Sequence, residues 1–198
     1  MRRFTLFDTL NLRKTSVYRN PRNISTLKIV FGDFSFSKIP CIPIDKAGLI
    51  YHISDKPMQQ ISKVFIDGEP KTHGYRAYTA YQDETGKSIA AIVFDNPQFD
   101  SRVSVSGKGS IKETGELIEN PADIILDVFL NIQGYDEASL DLQDIYNFYS
   151  DCLTEDLKIA CLLQEEQTIR EFLDALAMNI HAQWLISNGK SVMRLRWK

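Results

Sequence analysis

The hydrophobic and polar positions of this 198-residue chain change their period near residue 112. From residue 24 to about 112 the apolar positions form short runs rich in β-branched and aromatic residues, which is typical of strands. ISKVFIDGEP predicts a strand that runs into an Asp67-Gly68 turn. YRAYTAYQDETGKSIAAIVF predicts a hairpin around DETGK, because Gly accepts the positive φ that such a turn demands. We therefore expect an antiparallel β-rich unit in this part of the chain.

After residue 113 the apolar positions recur with the helical period. In LIENPADIILDVFL, Asn120 stands at an N-cap position, Pro121 at the first helical position and Asp123 in the first turn, and together they predict a helix start and a structural helix cap. We expect this helix to end near Gly134. The remaining pattern predicts helices at 141–152 and about 168–178, a short apolar strand at 157–164, and a terminal hairpin around Asn188-Gly189.

The order of these elements predicts an α+β fold, because a run of strands precedes a mixed part with two to three helices, a short sheet and a C-terminal hairpin. We divide the chain into a basic arm or linker at 1–23, a β-rich domain at 24–112 and a smaller mixed α+β domain at 113–198.

The formal net charge of −3 hides a segregation of charge along the chain. Residues 1–112 carry 17 Lys/Arg and 10 Asp/Glu, residues 113–174 carry 2 and 16, and residues 175–198 carry 4 and none. This distribution argues against generic nucleic-acid binding. It fits two solvated surfaces of opposite sign, or oppositely charged faces that meet in an assembly. In the second case the arm supplies the interface residues Arg2, Arg3, Arg13, Lys14, Arg19 and Arg22.

The cysteines and the apolar runs indicate the cellular compartment of the protein and its relation to membranes. Cys41, Cys152 and Cys161 are far apart and odd in number, which favours free thiols in a reducing compartment. No apolar run approaches the roughly 20 residues that a membrane-spanning helix needs. The apolar residues of MRRFTLFDTLNLRK are too interrupted for a signal peptide. We expect no membrane insertion.

No motif in the chain has the spacing of a catalytic, cofactor or metal site. His52, His73 and His181 lack ligand spacing. Asp123 and Asp127, and likewise Asp141 and Asp144, share helix faces, and we expect them on the polar sides of their helices. The sequence therefore predicts no catalytic residue, no cofactor, no metal and no enzymatic activity. A small hydrolase assembled from His52, His73 and a carboxylate, and a partner-binding module that uses the acidic 113–174 surface, remain as alternatives.

An ordered series of phrases resembles proteins of bacteriophage tails, in particular hub, tail-tip or baseplate proteins. The phrases are KIVFGDF, IPCIPID, YHISDKPMQQISKVFIDGEP, DETGKSIAAIVF, SVSGKG, LIENPADIILDVFLNIQGY, LDLQDIYNFY and EEQTIREFLDALAMNIHAQWLISNGKSVMRLRW, and together they cover about residues 28–198.

The resemblance implies a structural role in the tail of a phage or prophage. Such proteins form rings on the tail axis, close the tube and carry fibres or host-binding parts. The implied partners are other tail or baseplate proteins and copies of the chain itself, without nucleic acid. The implied location is the virion tail, after synthesis in the bacterial cytoplasm.

Overall fold

The computed structural model of this chain describes residues 3–5, 28–164, 168–187 and 190–195. Within these ranges the protein has an α+β fold with a β-rich N-terminal part, as the order of the sequence patterns predicts. Nearly all strand pairs are antiparallel, and the helices follow the β-rich part along the chain.

The strands of the β-rich part form two four-stranded sheets, in the orders β3-β10-β6-β7 and β4-β5-β9-β8. Their side chains enclose one hydrophobic core, which includes Phe34, Ile53 and Phe94. The bounds are β3 (Ile39–Pro40), β4 (Ile42–Pro43), β5 (Ile50–Ser54), β6 (Met58–Ile66), β7 (Glu69–Lys71), β8 (Tyr75–Gln82), β9 (Ser88–Phe94) and β10 (Val103–Ser110).

A third sheet joins the two parts of the protein. It consists of β1 (Arg3–Thr5), β11 (Lys158–Gln164) and β2 (Lys28–Phe31), with β11 in the middle. The strand β1 runs parallel to β11, and β2 runs antiparallel to it, with Phe31 opposite Cys161. Residues from the arm, from the start of the β-rich part and from the mixed part thus share one sheet.

Both faces of the strand pair β2 and β11 are buried, and successive side chains of each strand point to opposite faces. In β2, Ile29 and Phe31 belong to the core under the helices, whereas Val30 belongs to the core of the β-rich part. In β11, Ile159 faces the helices and Ala160 faces the β-rich part. The third sheet is therefore the layer between two hydrophobic cores.

The helices cover the side of the third sheet that faces away from the β-rich part. They are α1 (Pro121–Leu126), α2 (Leu142–Thr154) and α3 (Ile169–Asn179), and their buried residues include Ile124, Phe148 and Leu176. The C-terminal hairpin β12 (Ala182–Ser187) and β13 (Lys190–Leu195) lies beside α2 and α3. The turn at Asn188-Gly189 lies outside the described residues.

The helix that begins at Pro121 differs from the expected single α-helix. The α-helical hydrogen bonding ends at Leu126, and the chain continues as a π-helix over Asp127–Ile132. Gly134 follows with a φ of 67°, so the chain does leave the helix at the glycine that the sequence indicates. The wider turn changes which side chains share a face after residue 126.

The basic arm is only partly described. Arg3 lies in β1, beside Lys158 of β11, whereas the other interface residues of the arm, Arg2, Arg13, Lys14, Arg19 and Arg22, lie outside the described residues. The boundaries at 23 and 112 remain predictions, and β2 contributes to the cores on both sides of the third sheet.

The state of the cysteines and the length of the helices relate to the compartment and the membrane behaviour that the sequence predicts. All three cysteines are free; Cys152 and Cys161 are buried and Cys41 is half-buried. Burial raises the pKa of Cys161 to about 12, which keeps it a thiol at neutral pH. In the described part of the chain, no helix combines the length and the apolar character that crossing a bilayer requires.

A substitution at Gly32, directly after β2, can test how closely β2 and β11 must approach each other. A Cβ at Gly32 would lie 2.0 Å from the carbonyl oxygen of Ile159, and its φ is 82°. Gly86 has the same φ of 82° but no atom within 4 Å of the corresponding position. We expect Gly32→Ala to lower the free energy of unfolding by about 3 kcal/mol or more, and Gly86→Ala by only about 1 to 2 kcal/mol. Urea denaturation of both variants measures the difference, and equal losses would contradict a steric contact at Gly32.

Candidate functional site

An open groove of about 370 Å³ lies beside the start of α1. One wall is the segment that leads from β10 into α1, and the other is the C-terminal half of α2 with the residues that continue into β11. The groove therefore lies on the helical part, within the acidic region that the charge pattern identifies.

The charged side chains of the groove do not balance. Four carboxylates and two lysines line it, which leaves a formal charge of −2. Lys112 Nζ lies 2.7 Å from Asp123 Oδ2, and Lys158 Nζ lies 2.6 Å from Glu119 Oε1. The remaining carboxylates, those of Glu116 and Asp156, are exposed.

The helix cap forms part of the groove wall. The backbone N–H of Ala122 donates a 2.9 Å hydrogen bond to Oδ1 of Asn120, and Pro121 is the first residue of α1. Asn120 Nδ2 also donates to the backbone oxygen of Tyr149 in α2, at 3.5 Å. The cap thus ties α1 to α2, and the position of the groove walls depends on it.

Asp123 also fixes Lys112 on the groove wall. Partial burial alone would lower the pKa of Lys112, but the hydrogen bond and the charge of Asp123 outweigh it and raise the pKa above its usual value. The Lys112 ammonium lies 5.6 Å from the centre of the Tyr149 ring. Lys112 therefore remains charged and bridges the two walls.

A second group of ionisable side chains lies where β2 meets β5. Lys28 is only 1% exposed, and its Nζ donates a hydrogen bond to the backbone oxygen of Pro40. Its backbone N–H donates to Asp55 Oδ2 at 2.6 Å, and Asp55 Oδ1 lies 2.7 Å from Lys87 Nζ. Burial lowers the pKa of Lys28 to about 8, although the negative charge of Asp55 opposes the shift.

His52 belongs to the same group of side chains. It is 6% exposed, and its Nε2 lies 3.8 Å from Asp55 Oδ1, without a hydrogen-bond partner among the described residues. Burial lowers the pKa of His52 to about 4, and the charges of Lys28 and Lys87 add to this, against the opposing charge of Asp55. Nearby, burial raises the pKa of Cys41 to about 11. At neutral pH the histidine is uncharged and the cysteine is a thiol.

The structure brings His52 to Asp55 rather than to His73. His52 pairs with Ala91 of β9, whereas His73 is exposed and precedes Tyr75, which pairs with Phe94. Three residues along β9 correspond to about 10 Å, so the two histidines lie at different levels of the sheet. No group of three potential metal ligands occurs in the ranges that the structure describes.

Asp127 does not lie on the polar side of its helix, so that expectation was wrong for this residue. Asp127 is buried, and its Oδ1 lies 2.5 Å from Lys56 Nζ, in the connection between β5 and β6. Asn131 Nδ2 donates to the same oxygen at 2.9 Å. The backbone N–H of Asp127 still donates to the carbonyl oxygen of Asp123 at the end of α1, so α1 places this aspartate, and it is buried where Lys56 supplies the compensating charge. The aspartate becomes an ionic link between the two parts of the protein.

Sequence reasoning missed Lys28, Asp55 and Lys112, because each acquires its role through a partner distant in sequence. The only local signals were a lysine directly before the apolar run IVF and an aspartate at the end of a strand, and both are common. Neither protein-family models nor curated proteins gave a match to this chain.

The buried His52 predicts a loss of stability in mild acid. The unfolded chain protonates this histidine near pH 6.5, but the folded chain does so only near pH 4. The unfolded state therefore binds more protons between these values, so stability falls as the pH drops from about 6.5 to 4, by about 3 kcal/mol in total.

Urea denaturation at several pH values measures this effect. We expect His52→Gln to remove most of the slope between pH 6.5 and 4, whatever its effect on stability at neutral pH. The exposed His73→Gln serves as the matched control and should keep the slope of the unaltered chain. An unchanged slope in His52→Gln would show that other groups cause the acid sensitivity.

Proposed function

We propose that the chain is a structural component of a phage or prophage tail, at the tail tip or baseplate hub, and that it works through contacts with neighbouring subunits rather than through catalysis. Its partners are other tail or baseplate proteins and copies of itself. It is made in the bacterial cytoplasm and becomes part of the virion tail.

The assignment to a phage tail is supported by the ordered phrases between residues 28 and 198. These phrases correspond to elements that hold the protein together: KIVFGDF contains β2 and the Gly32 contact, and LIENPADIILDVFLNIQGY contains α1 and its cap. The resemblance thus involves the sequence around the third sheet and the groove, besides the surface loops.

The observation that carries the role in subunit contacts is the exposed apolar surface of the acidic part. Tyr146 and Leu153 of α2 are 57% and 59% exposed, and Met178 of α3 is 68% exposed. Of these three residues, Leu153 lies on the edge of the acidic groove, and an exposed apolar side chain beside a concave surface is a feature of protein interaction sites. This surface supports a partner that supplies both apolar contact and positive charge.

The basic arm is the complementary element in this proposal. Residues 1–23 carry six Lys/Arg and one Asp, and opposite charges on two subunits steer their association and fix its orientation. Arg2, Arg3, Arg13, Lys14, Arg19 and Arg22 are the interface residues that we propose in this arm.

A partner-binding module that uses the acidic surface is the second candidate, and the same groove favours it. The two differ in where the protein is found. A tail component belongs to purified phage particles, whereas a free binding module does not.

Particle purification tests the proposed function directly. We expect the chain to co-purify with phage particles from an induced bacterium that carries the gene, and antibody labelling in the electron microscope to mark the tail end. Deleting the gene should give incomplete tails, and supplying the intact chain should restore them. Complete, infective particles that lack the chain would overturn the proposal.

A further inference from the structure

Four of the charged side chains that line the groove are paired with one another, and two carboxylates on its exposed edges are not part of these ion pairs. Lys112 and Lys158 are each held by a carboxylate of the same groove. Glu116 and Asp156 account for the excess negative charge, and both are exposed. An entering cation therefore meets carboxylates that it can reach without breaking the existing ion pairs.

The groove also offers apolar surface to whatever enters it. Leu153 on its edge is 59% exposed, and the half-buried ring of Tyr149 lies on the same side of α2. A free ion would leave this surface exposed. A peptide segment with basic side chains and at least one aliphatic or aromatic residue would cover both the charges and the apolar edge.

Charge complementarity identifies a source for such a segment in the same sequence. The stretch TLNLRKTSVYRN at residues 9–20 alternates Arg13, Lys14 and Arg19 with Leu, Val and Tyr, and contains no acidic residue. The acidic region that contains the groove, residues 113–174, carries 16 Asp/Glu and 2 Lys/Arg. When one copy donates and the next accepts, the contact is head-to-tail, and such a contact can close into a ring.

We propose that the groove between the α1 cap and α2 accepts the basic segment around residues 9–22 of a second copy of this chain. This inference rests on the proposed role in subunit contacts, and it names the site and the partner for one of them. Glu116 and Asp156 bind the cationic side chains, while Leu153 and Tyr149 contact the apolar residues between them.

Charge variants of the groove test the acceptor site. Glu116→Lys with Asp156→Asn raises the formal charge of the groove by three units, and asparagine tolerates the φ of 48° at position 156. The matched control is Glu84→Lys with Asp100→Asn, which makes the same charge change at exposed positions outside the groove, including a φ of 63° at residue 100.

Sedimentation velocity on the full-length chain measures self-association at several salt concentrations. We expect the groove variant to raise the dissociation constant at least about tenfold at low salt, and the control variant to leave it unchanged. Equal self-association of the groove variant and the unaltered chain would overturn the inference, as would an unaltered chain that stays monomeric at every salt concentration.

A charge swap identifies the occupant. A second variant replaces Arg13, Lys14, Arg19 and Arg22 by Glu. Neither variant alone should self-associate, because its groove and its arm carry charge of the same sign. A mixture of the two should associate, because the positively charged groove of one variant can bind the negatively charged arm of the other. A mixture that stays monomeric would show that the segment binds within its own chain or that another protein fills the groove. Either result would overturn the inference that a second copy occupies the groove.

The result of the charge swap can be distinguished from the result of the particle purification that tests the proposed function. A chain that labels the tail end but fails the charge swap leaves the proposed function standing without this contact. A chain that passes the swap but is absent from phage particles keeps the contact and loses the tail assignment.

Discussion

The rest of the structure depends on the burial of both faces of the sheet that β2 and β11 form. A strand with one buried face needs a single hydrophobic partner, but these strands supply side chains to two cores at once. A slip of one residue between them would exchange the two sets of side chains and misplace both. Gly32 and Gly109 enforce the fit, because a Cβ at either position would collide with backbone of the third sheet. Lys158, at the start of β11, lines the groove.

Partly buried polar contacts join segments of the chain, and one of them links the β-rich part to the helical part. Lys56 Nζ pairs with the Asp127 carboxylate, and the backbone N–H of Lys28 donates to Asp55, so both contacts join segments that are distant in sequence. Removing charges from water costs free energy that the pairing offsets only when the geometry is right. The pair of Lys56 and Asp127 therefore disfavours misplaced arrangements, in which the Asp127 carboxylate would stay buried without its partner.

Local patterns predicted much of this fold, and non-local pairing accounts for the rest. The Asn120-Pro121 start of α1, the hairpin around DETGK and the three helices all follow from signals within a few residues. Nothing near Lys28 indicates that its strand pairs with β11, since either strand could have joined another partner with the same apolar pattern. The burial of Asp127 is accompanied by its pairing with Lys56, which is distant in sequence and which helical spacing does not reveal. Of the groove, the sequence indicated the cap and the acidic surroundings, but not the pairing of Lys112 with Asp123.

The pairing of residue 31 with residue 161 also has a consequence for how the protein is made. A ribosome releases the amino-terminal strand long before its hydrogen-bonding partner leaves the exit tunnel. During that interval Ile29, Val30 and Phe31 have no native neighbour on β11, and such exposed strands favour aggregation. Closing so long a loop is also slow, because its entropy is lost before the contacts form. Chaperone binding during translation is therefore an expected requirement for a good yield of this chain.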